Sequence, residues 1–140
     1  MEVLDELNYD ACDACQPAWD RFRSFLNQAP GEQRVIQATV GEVALSLQLA
    51  PLLDCDLGAE REWDAVFFDP FAPDDSPELW TESVLETVVR RLRGGGRLVT
   101  YCVRSSVQRQ LRGLGLKVEK APGPQGGKRE VLIATRLDGR

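Results

Sequence analysis

Val66-Phe67-Phe68-Asp69-Pro70-Phe71-Ala72-Pro73 is the stretch on which the reading of this chain turns, with Pro77-Glu78-Leu79-Trp80 close behind it. A short apolar run ends in an acid, and a proline-punctuated loop follows. Ala65-Val66-Phe67-Phe68 is apolar without alternation, the pattern of a strand in a parallel sheet covered on both faces. In open α/β sheets, ligands sit in the crevice outside the carboxyl ends of the strands. Asp69 stands at such an end, which makes it the first candidate for a reactive group. The plainer alternative is an acid that caps the turn after its strand.

Outward from residues 64–69 the chain alternates between element types. On the N-terminal side, residues 2–7 read as a short strand. Residues 17–27 read as a helix, with Pro17 in the first turn and Trp19, Phe22, Phe25 and Leu26 at helical spacing. Arg34–Val40 is rich in β-branched residues and reads as a strand. Residues 42–53, with Val43, Leu45, Leu47 and Leu49, are expected to form a helix that Pro51 bends or ends. Residues 56–62 are an acidic loop.

On the C-terminal side, Ser76 is the expected N-cap of a helix over 77–93, with Leu79, Val84, Leu85, Val88, Val89 and Leu92 inward. Arg90, Arg91 and Arg93 suit the end of that helix, and Gly94-Gly95-Gly96 stops it. Residues 97–103 are a second buried strand, 105–114 a helix, and 116–120 and 130–136 strands. From Arg34 onward, this order predicts a parallel sheet with helices on both faces. The last two strands, joined by the glycine- and proline-rich loop 122–127, must be antiparallel. The chain is read as one domain, with 1–33 as an N-terminal segment and 34–140 as the α/β domain proper.

Composition narrows the function. The chain has 140 residues, 43% of them hydrophobic, enough for a real core. No apolar run reaches the roughly 18 residues of a membrane span, and the acidic N-terminus is no signal peptide. A cytoplasmic protein with no membrane partner is expected. The net charge of −5 hides an asymmetry. Residues 1–89 carry four basic residues and 19 of the 22 acids, while residues 90–140 carry 13 basic residues and three acids. Such a split suggests that one end meets a polyanion. The competing reading is solvated surface, partly paired with the acidic half.

There is no histidine, which removes the usual general base and nucleophile partner. Proton transfer falls to Asp, Glu, Tyr or Lys. Cys12 and Cys15 form a lone Cys-x-x-Cys pair among acids, and Cys55 and Cys102 stand alone. A structural zinc site usually needs four ligands, and the second pair is missing. No metal is expected.

The stretch 64–73 with Pro77-Glu78-Leu79-Trp80-Thr81 resembles the MnmC-like methyltransferase family. So do Gly95-Gly96-Arg97-Leu98-Val99-Thr100-Tyr101, the segment Ser106-Val107-Gln108-Arg109-Gln110-Leu111 with Gly115-Leu116-Lys117-Val118, and the closing Gly127-Lys128-Arg129-Glu130. The resemblance implies a Rossmann-like class I methyltransferase fold, a parallel sheet ending in an antiparallel hairpin. It implies methyl transfer from S-adenosylmethionine to an exocyclic amine on the wobble uridine of tRNA. Carried over residue by residue, Asp69 would be the catalytic group beside the sulfonium and the amine. Pro70 and Phe71 would join it at the cofactor, with Glu42 at the adenine. Phe71 and Pro73 would shape the substrate pocket, and Lys128 and Arg129 would face the substrate or its phosphates.

The resemblance also implies a glycine-rich loop after a first strand, where backbone closely approaches the cofactor. No Gly-x-Gly-x-Gly precedes Asp69; the glycines there are Gly31, Gly41 and Gly58. A form truncated at the N-terminal side is therefore expected. Its sheet either pairs Arg34–Val40 directly with 64–69 or has an edge covered by a missing segment or a second copy. The rival reading is a catalytically inactive domain that binds RNA or a protein through its basic half.

Overall fold

A computed structural model describes residues 20, 24, 34–40, 42–60, 62–123 and 130–137. Several sequence expectations lie outside the described residues: the strand over 2–7, Cys12 and Cys15, most of the helix over 17–27, and Lys128 and Arg129. Of that helix, Asp20 and Ser24 are described, both helical and exposed. The chain divides into two compact units, Met1–Cys55 and Asp56–Arg140.

The first unit contains a two-stranded antiparallel ribbon, β1 (Arg34–Val40) and β2 (Val43–Leu49). Its register runs from Arg34 opposite Leu49 to Val40 opposite Val43. The helix expected over 42–53 is thus a strand, and the reason is legible afterwards. Val43, Leu45, Leu47 and Leu49 are two apart, which is the strand period; a helical stripe needs steps of three and four. Two residues separate the strands, and Glu42 lies in the turn. After β2, Pro51 opens a short 3-10 turn, Leu52–Asp54. β1 pairs with β2 and not with residues 64–69.

The second unit holds β3 (Trp63–Phe67), α1 (Glu82–Arg91), β4 (Leu92–Thr100), α2 (Ser105–Gly113), β5 (Leu116–Pro122) and β6 (Glu130–Arg136). The sheet order is β3-β4-β6-β5. β3 and β4 are parallel, and β6 lies antiparallel to both β4 and β5. β5 therefore points the same way as β3 and β4. This is the expected class: parallel crossovers through helices, closed by an antiparallel hairpin.

One face of this sheet is dry. Leu98, Ala134 and Val118 lie opposite one another, as do Thr100 and Leu132, and all five are buried. Val84, Leu85, Val88 and Val89 of α1 and Val107 and Leu111 of α2 complete this core. The opposite face carries Ala65, Arg97, Lys117 and Glu119, all exposed, and Phe67 at 82% exposure. The described helices thus cover one face, where covering on both was expected.

Local chemistry sets the helix ends. Pro77–Trp80 is a 3-10 turn rather than the start of the long helix, and Ser76 makes no capping bond. α1 begins after Thr81, whose hydroxyl accepts from the Val84 amide at 3.4 Å. At its other end, the Arg136 Nη1 donates to the carbonyls of Val89, Arg90 and Leu92 at 3.0, 3.3 and 3.1 Å. A cation there satisfies carbonyls that the helix leaves unpaired and complements its dipole. The helix ends before Gly94-Gly95-Gly96, and these glycines lie within β4 instead of stopping α1. Trp63 pairs with Leu92 but Ala65 with Arg97, so the glycines form a bulge. A Cβ on Gly96 would lie 2.8 Å from the Trp63 carbonyl oxygen, so nothing larger fits without movement.

Candidate active site at the strand ends

Because β3 and β4 are parallel, their carboxyl ends open on the same side of the sheet. The Phe68 amide extends the ladder, donating to the Val99 carbonyl at 2.8 Å. The Phe68 ring is buried and packs edge-on against Trp80, with centroids 5.2 Å apart. The chain then turns outward at Asp69, which is exposed. Between the loop after β3 and the loop after β4 lies a cleft of about 370 Å³. Asp69, Pro70, Ala72 and Pro73 line one side, Tyr101, Cys102, Val103 and Arg104 the other, and Trp80 and Thr100 the remainder.

The loops are cross-braced. The Trp80 indole Nε1 donates to the Phe71 carbonyl at 2.8 Å, and the Gln110 Nε2 donates to the Trp80 carbonyl at 3.3 Å. The amides of Asp75 and Ser76 both donate to the Ala72 carbonyl, at 2.8 and 3.0 Å. The Arg104 guanidinium grips Asp74 with two bonds, Nη1 to Oδ1 at 2.7 Å and Nη2 to Oδ2. Hydrogen bonding to Arg104, then its charge, holds the Asp74 carboxyl below the usual carboxylate range. The same pairing raises Arg104 further above neutrality. On the far side, the Gln108 Nε2 donates to the Val103 carbonyl at 2.9 Å.

Asp69, Pro70 and Pro73, singled out in the sequence, come together in this cleft. Phe71 stands beside it at 76% exposure, fixed through its carbonyl rather than its ring. Glu42 is an exposed residue of the β1–β2 turn in the first unit, so its expected strand-to-helix setting is replaced by a hairpin. Trp80 is 5% exposed and is also a donor to the cleft loop. Sequence reasoning missed the residues 100–104. The signal was available, since the carboxyl end of any strand parallel to β3 must open beside Asp69.

Part of the charge asymmetry closes within the unit. Arg90 pairs with Glu86 at 2.6 Å, and Arg90 and Arg91 reach Glu60 at 3.9 and 3.7 Å. Arg93 pairs with Asp64, and Arg104 with Asp74. Arg97 and Arg109 are exposed and have no ion-pair partner among the described residues.

A parallel strand pair joined through a helix and closed by an antiparallel hairpin is a Rossmann-like half-sheet. Residues 14–137 match a family described as S-adenosyl-L-methionine-dependent methyltransferase, and the chain belongs to that family. It is 36% identical over 111 residues to the tRNA 5-methylaminomethyl-2-thiouridine biosynthesis bifunctional protein MnmC of Ralstonia nicotianae, covering 75% of this chain and 16% of that protein. The protein of the same name in Leptospira interrogans is 36% identical over 115 residues, 82% of this chain and 18% of the relative. The crystal structure of MNMC2 from Aquifex aeolicus superposes with a TM-score of 0.50 at 32% identity, covering 64% of this chain and 28% of that one. The chain thus spans about a sixth of the length of these curated relatives.

S-adenosyl-L-methionine is the cofactor of this family. The cleft is of small-molecule size and is walled mainly by proline, aromatic and aliphatic side chains, with the Asp69 carboxylate and the Arg104 guanidinium also lining it.

Proposed function

We propose that this chain transfers a methyl group from S-adenosylmethionine to an exocyclic amine on a modified wobble uridine of tRNA, in the cytoplasm. The observation that carries this reading is the Asp69 carboxylate, exposed at the lip of the strand-end cleft. The names of the relatives supply the substrate class. The cofactor supplies an electrophilic methyl on a positively charged sulfur. An amine attacks in line only with a free lone pair. Asp69 accepts a hydrogen bond or proton from the amine and turns that lone pair toward the cleft. Pro70 and Pro73 stiffen the wall behind it, and Phe71 offers a flat apolar surface at the mouth. Lys128 and Arg129 are assigned to the tRNA phosphates.

The test is methyl transfer from labelled cofactor to tRNA bearing the free amine, with calorimetric titration of S-adenosylhomocysteine alongside. Asp69→Asn should lower kcat by about 10²- to 10⁴-fold. An unchanged rate would remove Asp69 from the chemistry. A flat titration with retained tRNA binding would favour an RNA-binding domain without catalysis. tRNA affinity should fall steeply with salt. Lys128→Glu with Arg129→Glu should weaken it, and unaltered binding would overturn that assignment.

A further inference from the structure

The segment after β3 is pinned at both ends and tethered twice between them, at Phe71 by the Trp80 indole and at Asp74 by Arg104. At its start, the Phe68 amide is bonded to Val99 and the Phe68 ring is buried. At its end, Trp80 is buried, donates to the Phe71 carbonyl and accepts from Gln110. Residues 69–79 between these pins carry Asp69 and Phe71, both exposed. Among the described residues, the Asp74–Arg104 pair is the one ion pair that ties this span to the loop across the cleft.

Arg104 is a firm point to tie to. It immediately precedes α2, and its carbonyl accepts the Gln108 amide at 3.0 Å. Asp75 and Cys102 also lie within electrostatic reach of its guanidinium. An exposed ion pair adds little to global stability. A two-pronged guanidinium–carboxylate contact does something else: it fixes both the separation and the plane of its partners.

We infer that Arg104 is a positioning residue. Through Asp74 it holds the loop after β3 across the cleft and, together with the Trp80 bond to the Phe71 carbonyl, sets where Asp69 stands. This rests on the methyl-transfer reading above. Reaction rates are sensitive to such placement, and a displacement of about 1 Å can cost up to about 10²-fold.

The experiment uses the full chain with Arg104→Gln, Asp74→Asn and the reversal Asp74→Arg with Arg104→Asp. Hydrogen exchange over residues 70–80 is measured together with kcat, KM for tRNA and the dissociation constant of S-adenosylhomocysteine. Each single substitution should speed exchange over 70–80 and lower kcat about tenfold, and with Asp74→Asn, which lies outside the cleft lining, both binding constants should stay within about twofold. Melting temperatures should stay within about 2 °C of the parent, because the pair is exposed. The reversal should slow exchange again and recover most of the lost rate. Unchanged exchange in the single variants overturns the inference, as does a rate loss that the reversal does not recover. If the parent chain transfers no methyl, the proposed function falls, and exchange alone still decides whether the pair is a clasp.

Discussion

β1–β2 and β5–β6 are built alike and fare differently. Each is an antiparallel pair with seven registered partners. In the first, Val35 and Val43 are 60% and 59% exposed. In the second, Leu132 and Ala134 of β6 are fully buried. Backbone pairing is local and available to both. Burial comes to the second pair because β6 also pairs with β4, and α1 and α2 pack against β4 and β5. A two-stranded ribbon alone is marginal in water, whereas a third strand and a helical cover make it a core.

Substitutions can break this contrast, beginning where it is largest. Leu132→Ala removes a fully buried side chain and should destabilise the second unit by about 2–5 kcal/mol in urea unfolding. A loss under about 1 kcal/mol would mean that the β6 core is looser than described. Gly96→Ala should come next. Its Cβ would lie 2.8 Å from the Trp63 carbonyl oxygen and 2.9 Å from that of Arg93, and backbone cannot swing aside as a side chain can. The expected cost is about 1–3 kcal/mol, read in the same unfolding curves. Val43→Thr, on the exposed ribbon, keeps the β-branched shape and should change stability by less than about 0.5 kcal/mol. An effect as large as that of Leu132→Ala would show that Val43 is buried in solution.

The smallest effect is one of pH. Arg104 depresses the Asp74 pKa in the folded chain. The stabilisation from the pair is therefore complete above the unfolded carboxylate value near about 4 and is lost as pH falls through the lower folded value. Hydrogen exchange over 70–80, corrected for intrinsic rates, should rise in acid below about pH 4, while exchange over 34–49 should show no matching step. Identical profiles in the two segments would remove the clasp from the explanation.

The second unit was largely legible in the sequence; of the first, strand 34–40 has the expected bounds and residues 43–49 do not form the expected helix. Leu85, Val88, Val89 and Leu92 announced α1, and all four are buried. The unalternating run before Asp69 announced β3, and strand 130–136 has the expected bounds. β2 differs from the expected helix because Val43, Leu45, Leu47 and Leu49 step by two, the strand period. Asp69, Pro70 and Pro73 were visible from their place after a strand. Arg104 was not, because its importance lies in a partner 30 residues away. Only the parallel register of β3 and β4 brings those two loops face to face.

The position of β6 has a consequence for how the unit is made. It follows all the other strands of its sheet in sequence, yet it lies between β4 and β5. During synthesis, β5 emerges with no neighbour to join, and the sheet cannot grow outward strand by strand. It is completed only when Glu130–Arg136 has been made and pairs with both β4 and β5. The same strand delivers Arg136 to the end of α1. Nascent chains that stop short of Glu130 should therefore remain open to proteolysis, with protection arriving in one late step.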